Sequence, residues 1–272
     1  MPPLNQPMPP LETTVMPATA QLMFTFVTGV PMVVVFGIAI VHIVRGKGPL
    51  LLLCFLGGAL AAAAEPVVDV LSCLYFPAIG QHTAFVSLGR PIPWALVFAY
   101  PWYVGGQGYL AYKLFAAEPA AARIWRLWGL FALSNIAVET PGVLTGFHVY
   151  YNNQPLNFWG FPLWAAAVQS IMPMVAGALV YLVRRTVGGG WGLLLVVPVV
   201  PMADMLVNAA ADLPMWTTLG GRMSLAANYL GAVLTIGLAA LAVWLLAVLL
   251  ARPVAQRPAS SQSFVQPSPS PR

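Results

Sequence analysis

The chain has 272 residues, 60% of them hydrophobic and only 7% charged, which leaves no room for a soluble catalytic domain and points to several membrane-crossing segments. Its formal net charge of +5 does not mark a nucleic-acid binder, because the basic residues lie singly or in pairs at the ends of apolar runs. The two cysteines exclude a disulfide framework: Cys54 and Cys73 fall in one predicted helix, roughly 28 Å apart at 1.5 Å per residue, and read as small buried hydrophobes.

In chain order, residues 1–19 open with the Pro-rich "MPPLNQPMPPLE" and are expected to be disordered. The apolar run 20–44 is too long for a signal-peptide core and lacks a basic start or a small-residue cleavage pattern, so it reads as a mature helix. Six more runs follow near 49–75, 92–114, 126–145, 161–183, 191–211 and 224–250, bounded by charge, Pro/Gly clusters or aromatics. They predict an all-α, polytopic bundle of seven transmembrane helices over 20–251, followed by a disordered Pro/Ser-rich tail, 252–272. Neither an internal repeat nor an inverted one is visible, which counts against the common transporter folds.

The basic residues orient the bundle. Arg45 and Lys47 follow the first run, Lys113, Arg123 and Arg126 lie between the third and fourth, Arg184 and Arg185 follow the fifth, and Arg252, Arg257 and Arg272 lie beyond the seventh. With alternating spans all of these share one side, and only Arg90 and Arg222 fall opposite. An excess of Lys and Arg marks the cytoplasmic side. The expected location is therefore the cell membrane, with the N-terminus outside and the C-terminus in the cytoplasm.

Polar residues inside the runs recur at helical spacing. Glu65 and Asp69, Asn135 and Glu139, and the series Asp204, Asn208 and Asp212 each share a helix face. A charged side chain at the bilayer centre costs at least ~2.5–3.5 kcal/mol, so these stripes are expected to face the bundle interior. Counting from the cytoplasmic end puts Glu65, Glu139 and Asp204 roughly 20–24 Å deep, from the midplane outward. Asp69, Asp212, Arg90, His82 and His148 then cap the cluster on the outer side, beside "YPWYVGGQGY" and "GFHVYYNNQPLNFWGFPLW". Pro66 and Pro201 are expected to add freed carbonyls to the same pocket.

Carboxylates crowded in an apolar interior cannot all ionise, which makes the cluster an acid/base pair in waiting. The expected catalytic residues are Glu139 as general acid with Glu65 or Asp204 as its partner. Asp69, Asn135, Asn208, Asp212, Arg90, His148, Tyr100, Trp102, Tyr150 and Trp159 are expected at the pocket wall or just behind it. His42, His82 and His148 are scattered, so no metal site is expected. The Gly-rich "VGGQG" and "VGGGWG" lack the setting of phosphate loops and read as close packing, and no serine has a His/Asp partner at a readable spacing. No cofactor is expected; the partners are a lipophilic small-molecule substrate and membrane lipids, with no nucleic acid.

Three stretches together, "EPVVD" at 65–69, "GRPIPW" at 89–94 and "VETPGVLTGFHVYY" followed by "FWGFPLW", resemble the spirocyclase AveC-like membrane proteins of actinobacteria over about residues 50 to 183. The family's pattern falls here on Glu65-Pro66, on Glu139, on Gly146 with Tyr150, and on Trp159 through Pro162, with His148 standing where the pattern has a tyrosine. The resemblance implies cyclisation of a hydroxylated ketone to a spiroketal with loss of water, in polyketide maturation. Two other readings stay open: a membrane terpene cyclase, with Tyr100, Trp102, Tyr150 and Trp159 stabilising a carbocation, and a proton-coupled transporter or lipophile-binding protein.

Overall fold

The computed structural model describes residues 9–11 and 13–252; residues 1–8 and 253–272, which make up much of the two tails expected to be disordered, lie outside the described residues. The chain is mostly helical. Six segments are long and apolar enough to cross a membrane: Ala18–Val44, Leu50–Leu71, Ala121–Leu144, Leu163–Thr186, Gly190–Ala211 and Leu225–Leu250. They correspond in order to six of the seven predicted runs. Helix α1 (Ala18–Val44) turns many large apolar side chains outward, Phe26, Val33 and Phe36 among them, as a lipid-facing helix does.

The second span is not one helix. Helix α2 (Leu50–Ala61) tightens into a 3₁₀ turn at Ala62–Ala64 and resumes as α3 (Glu65–Leu71). Pro66 causes this. It has no N–H for the Ala62 carbonyl four residues back, and that carbonyl accepts the Glu65 amide instead. The expectation that Pro66 leaves a free acceptor in the pocket is therefore not met.

The third predicted run is helical but lies outside the six apolar spans. Helix α4 (Trp94–Tyr100) passes through a π-helical turn, Pro101–Gly106, into α5 (Gln107–Ala116). Pro101 interrupts the regular ladder, and the wider turn absorbs the mismatch. Glycine decides where the turn sits. A Cβ on Gly58 of α2 would lie 2.7 Å from the Tyr100 carbonyl oxygen and 2.8 Å from the Gly105 nitrogen, so α2 and the turn touch backbone to backbone.

Helix α6 (Ala121–Leu144) forms the next span, and the one after it is α7 (Leu163–Gln169) continued by α8 (Met172–Thr186). A 3₁₀ segment, Gly190–Leu195, leads into α9 (Val196–Ala211), then α10 (Leu213–Gly220) and α11 (Leu225–Leu250) follow. Helix α9 runs unbroken through Pro201, and the Val197 carbonyl that loses its donor packs on Gly57 of α2, 2.8 Å from where a Cβ would stand. This second freed carbonyl also misses the pocket.

An all-α chain was expected; the structure adds three short antiparallel ribbons, all at one end. Strand β1 (Leu74–Tyr75) pairs with β4 (Val149–Tyr150), β2 (Thr83–Ser87) with β3 (Arg90–Pro93), and β5 (Asn157–Phe158) with β6 (Phe161–Pro162). Val15 bridges Ile79 and Met16 is buried, so structured contacts reach back into the segment 1–19. The loops interlock: Trp216 Nε1 donates to Ser72 Oγ at 2.8 Å, and Asn228 Nδ2 to the Asn153 carbonyl at 2.9 Å. At the opposite end the Arg252 amide donates to the Pro119 carbonyl at 2.9 Å, near the exposed basic residues Arg45, Lys113, Arg123 and Arg184.

Candidate active site

A cavity of about 80 Å³ lies in the bundle beneath the ribbons. At ~10–15 Å³ for one water, it has room for roughly five to eight. Its wall draws on α1, α3, α4, the π-helical turn, α6, α7, α8, α9 and the ribbons. Aromatic side chains dominate: Phe24, Phe76, Tyr103, Phe147 and Trp164 stand between the polar groups.

Glu65 and Glu139 both line this cavity, from different helices. Each has its own partner. Tyr100 Oη donates to Glu65 Oε2, and His148 Nε2 lies 3.0 Å from Glu139 Oε2. His148 is buried and fits against Gly142, one turn along α6 from Glu139, where any Cβ would strike the imidazole. Below Glu139, Asn135 Nδ2 donates to Tyr103 Oη at 3.0 Å and to Gln169 Oε1. The i, i+4 stripe on α6 thus delivers one carboxylate to the cavity and one amide to a network that braces it.

Asn135, Asn208, Asp212, His148, Tyr100, Trp102 and Tyr150 also line the cavity, as the sequence reading places them. Four residues of the expected set do not. Asp204 is fully buried with neither carboxyl oxygen hydrogen-bonded, but it sits one helical turn further from the ribbons than Asn208 and takes no part in the wall. Asp69 is equally buried, its carboxyl set against that of Glu65. Arg90, buried on β3, donates through Nη2 to Tyr151 Oη at 2.9 Å and lies 5.8 Å from that ring's centre. Trp159 is 66% exposed, stacked on Phe158; the φ of 52° at Trp159 and 90° at Gly160 make it the tip of the β5–β6 turn, which turns its ring outward. His82 is exposed as well.

Sequence reasoning missed Tyr103, Gln169, Ser72 and Trp164. Tyr103 and Trp164 lie inside the aromatic segments quoted above, and Gln169 is an amide within an apolar run, a signal of the kind that singled out Asn135. Ser72 became visible only when the fold brought its loop over the cavity.

The electrostatics are one-sided. Glu65, Asp69, Asp204 and Asp212 are buried, while Arg90 is the single buried Arg or Lys among the described residues. On β4, outside the spans, burial foremost, with Glu139 and Glu65 nearby, holds the Tyr150 phenol well above its ordinary pKa. Its hydroxyl stays a donor and lies beside Gln169, whereas Trp102 Nε1 has no protein partner. Buried groups of this kind are rare and call for an explanation. Among the described residues no group of three or more His, Cys, Asp or Glu is arranged to hold a metal ion.

Asp212, just past the end of its span, is pushed well above the ordinary carboxylate range by burial alone. The unfolded chain releases that proton near pH ~4, whereas the folded chain keeps it to higher pH, so this group costs stability increasingly as pH rises above ~4. Asp212→Asn is therefore expected to raise the apparent Tm at neutral pH, by about 2–4 °C for each kcal/mol relieved, with the gain vanishing as pH falls to ~4. Thermal unfolding in detergent across pH checks this; a difference that does not change with pH contradicts it.

No protein-family model, no curated protein and no solved structure matches this chain.

Proposed function

We propose that this chain is a seven-helix membrane enzyme whose cavity performs acid/base cyclisation of a lipophilic molecule. The observation that carries the reading is that Glu65 and Glu139, on separate helices and each with a separate hydrogen-bonding or charge partner, face one largely aromatic cavity. The Tyr150 hydroxyl and an unpartnered donor, Trp102 Nε1, face it as well. Two positioned proton carriers with donors on the same wall suit chemistry in which an oxygen leaves as another attacks.

For a dihydroxyketone, the reaction implied by the resemblance to the AveC-like spirocyclases, one hydroxyl first closes on the ketone to give a hemiketal. The Glu139–His148 pair then protonates the hemiketal hydroxyl, which departs as water. The Glu65 carboxylate faces the oxocarbenium that remains. The second hydroxyl attacks that carbon, gives its proton to Glu65 and closes the spiroketal; return of the proton from Glu65 to the pair resets the site. The net change is loss of one water.

The experiment is product analysis with the protein in lipid vesicles. A dihydroxyketone converted to a product lighter by one water supports the reading. Isomerisation of an oxidised prenyl chain in its place overturns it in favour of a terpene cyclase. Passage of the probe across the vesicle wall without chemical change overturns it in favour of a carrier.

In this reading residues 94–116 form the seventh crossing, with the polar and aromatic side chains of the π-helical turn directed inward, and the ribbons face the outside of the cell. The exposed basic residues at the opposite end support that orientation. Cys54 and Cys73 are buried, so introduced thiols report cleanly. Ser87→Cys, on the β2–β3 ribbon, is expected to react with an impermeant maleimide on intact cells, and Ser260→Cys only after permeabilisation. The reverse pattern inverts the topology and moves the cavity to the cytoplasmic half.

A further inference from the structure

The cavity contains an acceptor-rich pole that the cyclisation scheme does not use. It is built at the junction of α9 and α10. An aspartate at a helix start ordinarily caps the amide of the second or third residue, but Pro214 at the second position of α10 has no N–H, and Asp212 makes no capping bond. Its side chain lines the cavity instead, is 3% exposed, and its Oδ1 has no protein partner.

The neighbours sharpen the picture. Trp216 Nε1 donates to Ser72 Oγ, which occupies one acceptor site of that hydroxyl. Asn208 commits its amide nitrogen to Met172 Sδ at 3.1 Å and to the Asp204 carbonyl at 2.9 Å, so its remaining capacity is that of an acceptor. Ser72 and Asn208 line the cavity beside Asp212. Arg90, the single buried Arg or Lys among the described residues, is engaged with Tyr151. A pole with more acceptors than donors, and no cation, complements a ligand that brings a donor.

We propose that Asp212, with Ser72 and Asn208, forms a head-group subsite that receives a hydroxyl or ammonium group at one end of an otherwise apolar molecule. The subsite rests on the reading of the cavity as a chamber for a lipophilic substrate. It fixes which end of that substrate points away from Glu65 and Glu139.

The test uses the wild-type protein in lipid nanodiscs and dicyclohexylcarbodiimide, an apolar reagent for carboxylic acids. The acid's proton passes to a carbodiimide nitrogen and its oxygen to the central carbon, and an acyl shift to nitrogen leaves a stable adduct that peptide mass spectrometry locates. Two matched probe pairs are added: cyclohexanol with methylcyclohexane, and N,N-dimethylcyclohexylamine with isopropylcyclohexane. Asp212 is expected to label, and a donor-bearing probe at ten times its Kd to slow that labelling about tenfold, while its hydrocarbon partner does not. Protection by the alcohol identifies a hydroxyl subsite; protection by the amine identifies an ammonium one. Absence of an Asp212 adduct, absence of protection, or equal protection by the hydrocarbons overturns the subsite. Repeating the protection in Glu139→Gln separates the two claims, since the subsite predicts that it survives the loss of turnover.

Discussion

Glu139→Gln and Glu65→Gln are each expected to abolish turnover while leaving the yield of folded protein near that of the wild type. The amide keeps the size and most hydrogen bonds of the acid but cannot deliver or accept the proton, and positioned proton transfer is worth ~10²–10⁴-fold in rate. Tyr100 still has an oxygen to donate to in Glu65→Gln, so the local fold has no reason to change. The helix stripes alone put Asp204 in the same class. The structure sets it apart: Asp204 lies outside the cavity wall with both oxygens unpartnered, and on the proposed reading Asp204→Asn is expected to cost less than about tenfold, because no proton passes through it to substrate. Steady-state rates for the three variants, normalised to monodisperse protein, check this. Equal losses in all three contradict the separation, and full activity in Glu139→Gln removes its role as acid.

Gly105→Ala is expected to yield no folded protein, or protein without activity. The added Cβ would overlap the Cys54 carbonyl and crowd the Cα of Phe55 at 3.0 Å. Both are backbone atoms of α2, so no side-chain rotation relieves the clash. Overpacking that side chains can absorb costs ~1–3 kcal/mol; displacing two backbones costs more. The effect reaches function because the π-helical turn carries Trp102 and Tyr103 and follows directly on Tyr100, all of which line the cavity. Gly129→Ala is the matched control, since nothing lies within 4 Å of a Cβ there. Size-exclusion profiles of the two variants decide the matter, and a well-folded, active Gly105→Ala contradicts it.

The apolar runs and the i, i+4 stripes were legible because both are local. Hydropathy over one helix length reports a crossing segment, and helical periodicity reports which residues share a face. Asn135 with Glu139, and Asn208 with Asp212, reached the cavity for that reason. What failed depends on contacts distant in sequence. Asp204 continues a correct stripe, but the cavity stops short of it. Arg90 and Trp159 were expected at the site from the polar and aromatic character of their loops, yet pairing of β2 with β3 and of β5 with β6 turns one toward Tyr151 and the other outward. The role of His148 depends on Gly142, whose missing side chain admits the imidazole beside Glu139. Pro66 interrupts its helix as its sequence suggests, whereas Pro201 sits in an unbroken one. Their freed carbonyls were misplaced, because a 3₁₀ turn and a helix contact took them up before they could face the cavity.

The most direct measurement is an experimental density map of the protein with a lipophilic ligand retained from the membrane or added as a dihydroxyketone. The account predicts ligand density in the cavity beneath the ribbons, with one oxygen within hydrogen-bonding distance of Glu139 or His148, another facing Glu65, and the aromatic walls on either side. A ligand bound elsewhere, or Glu65 or Glu139 turned toward lipid with the ligand in place, contradicts it.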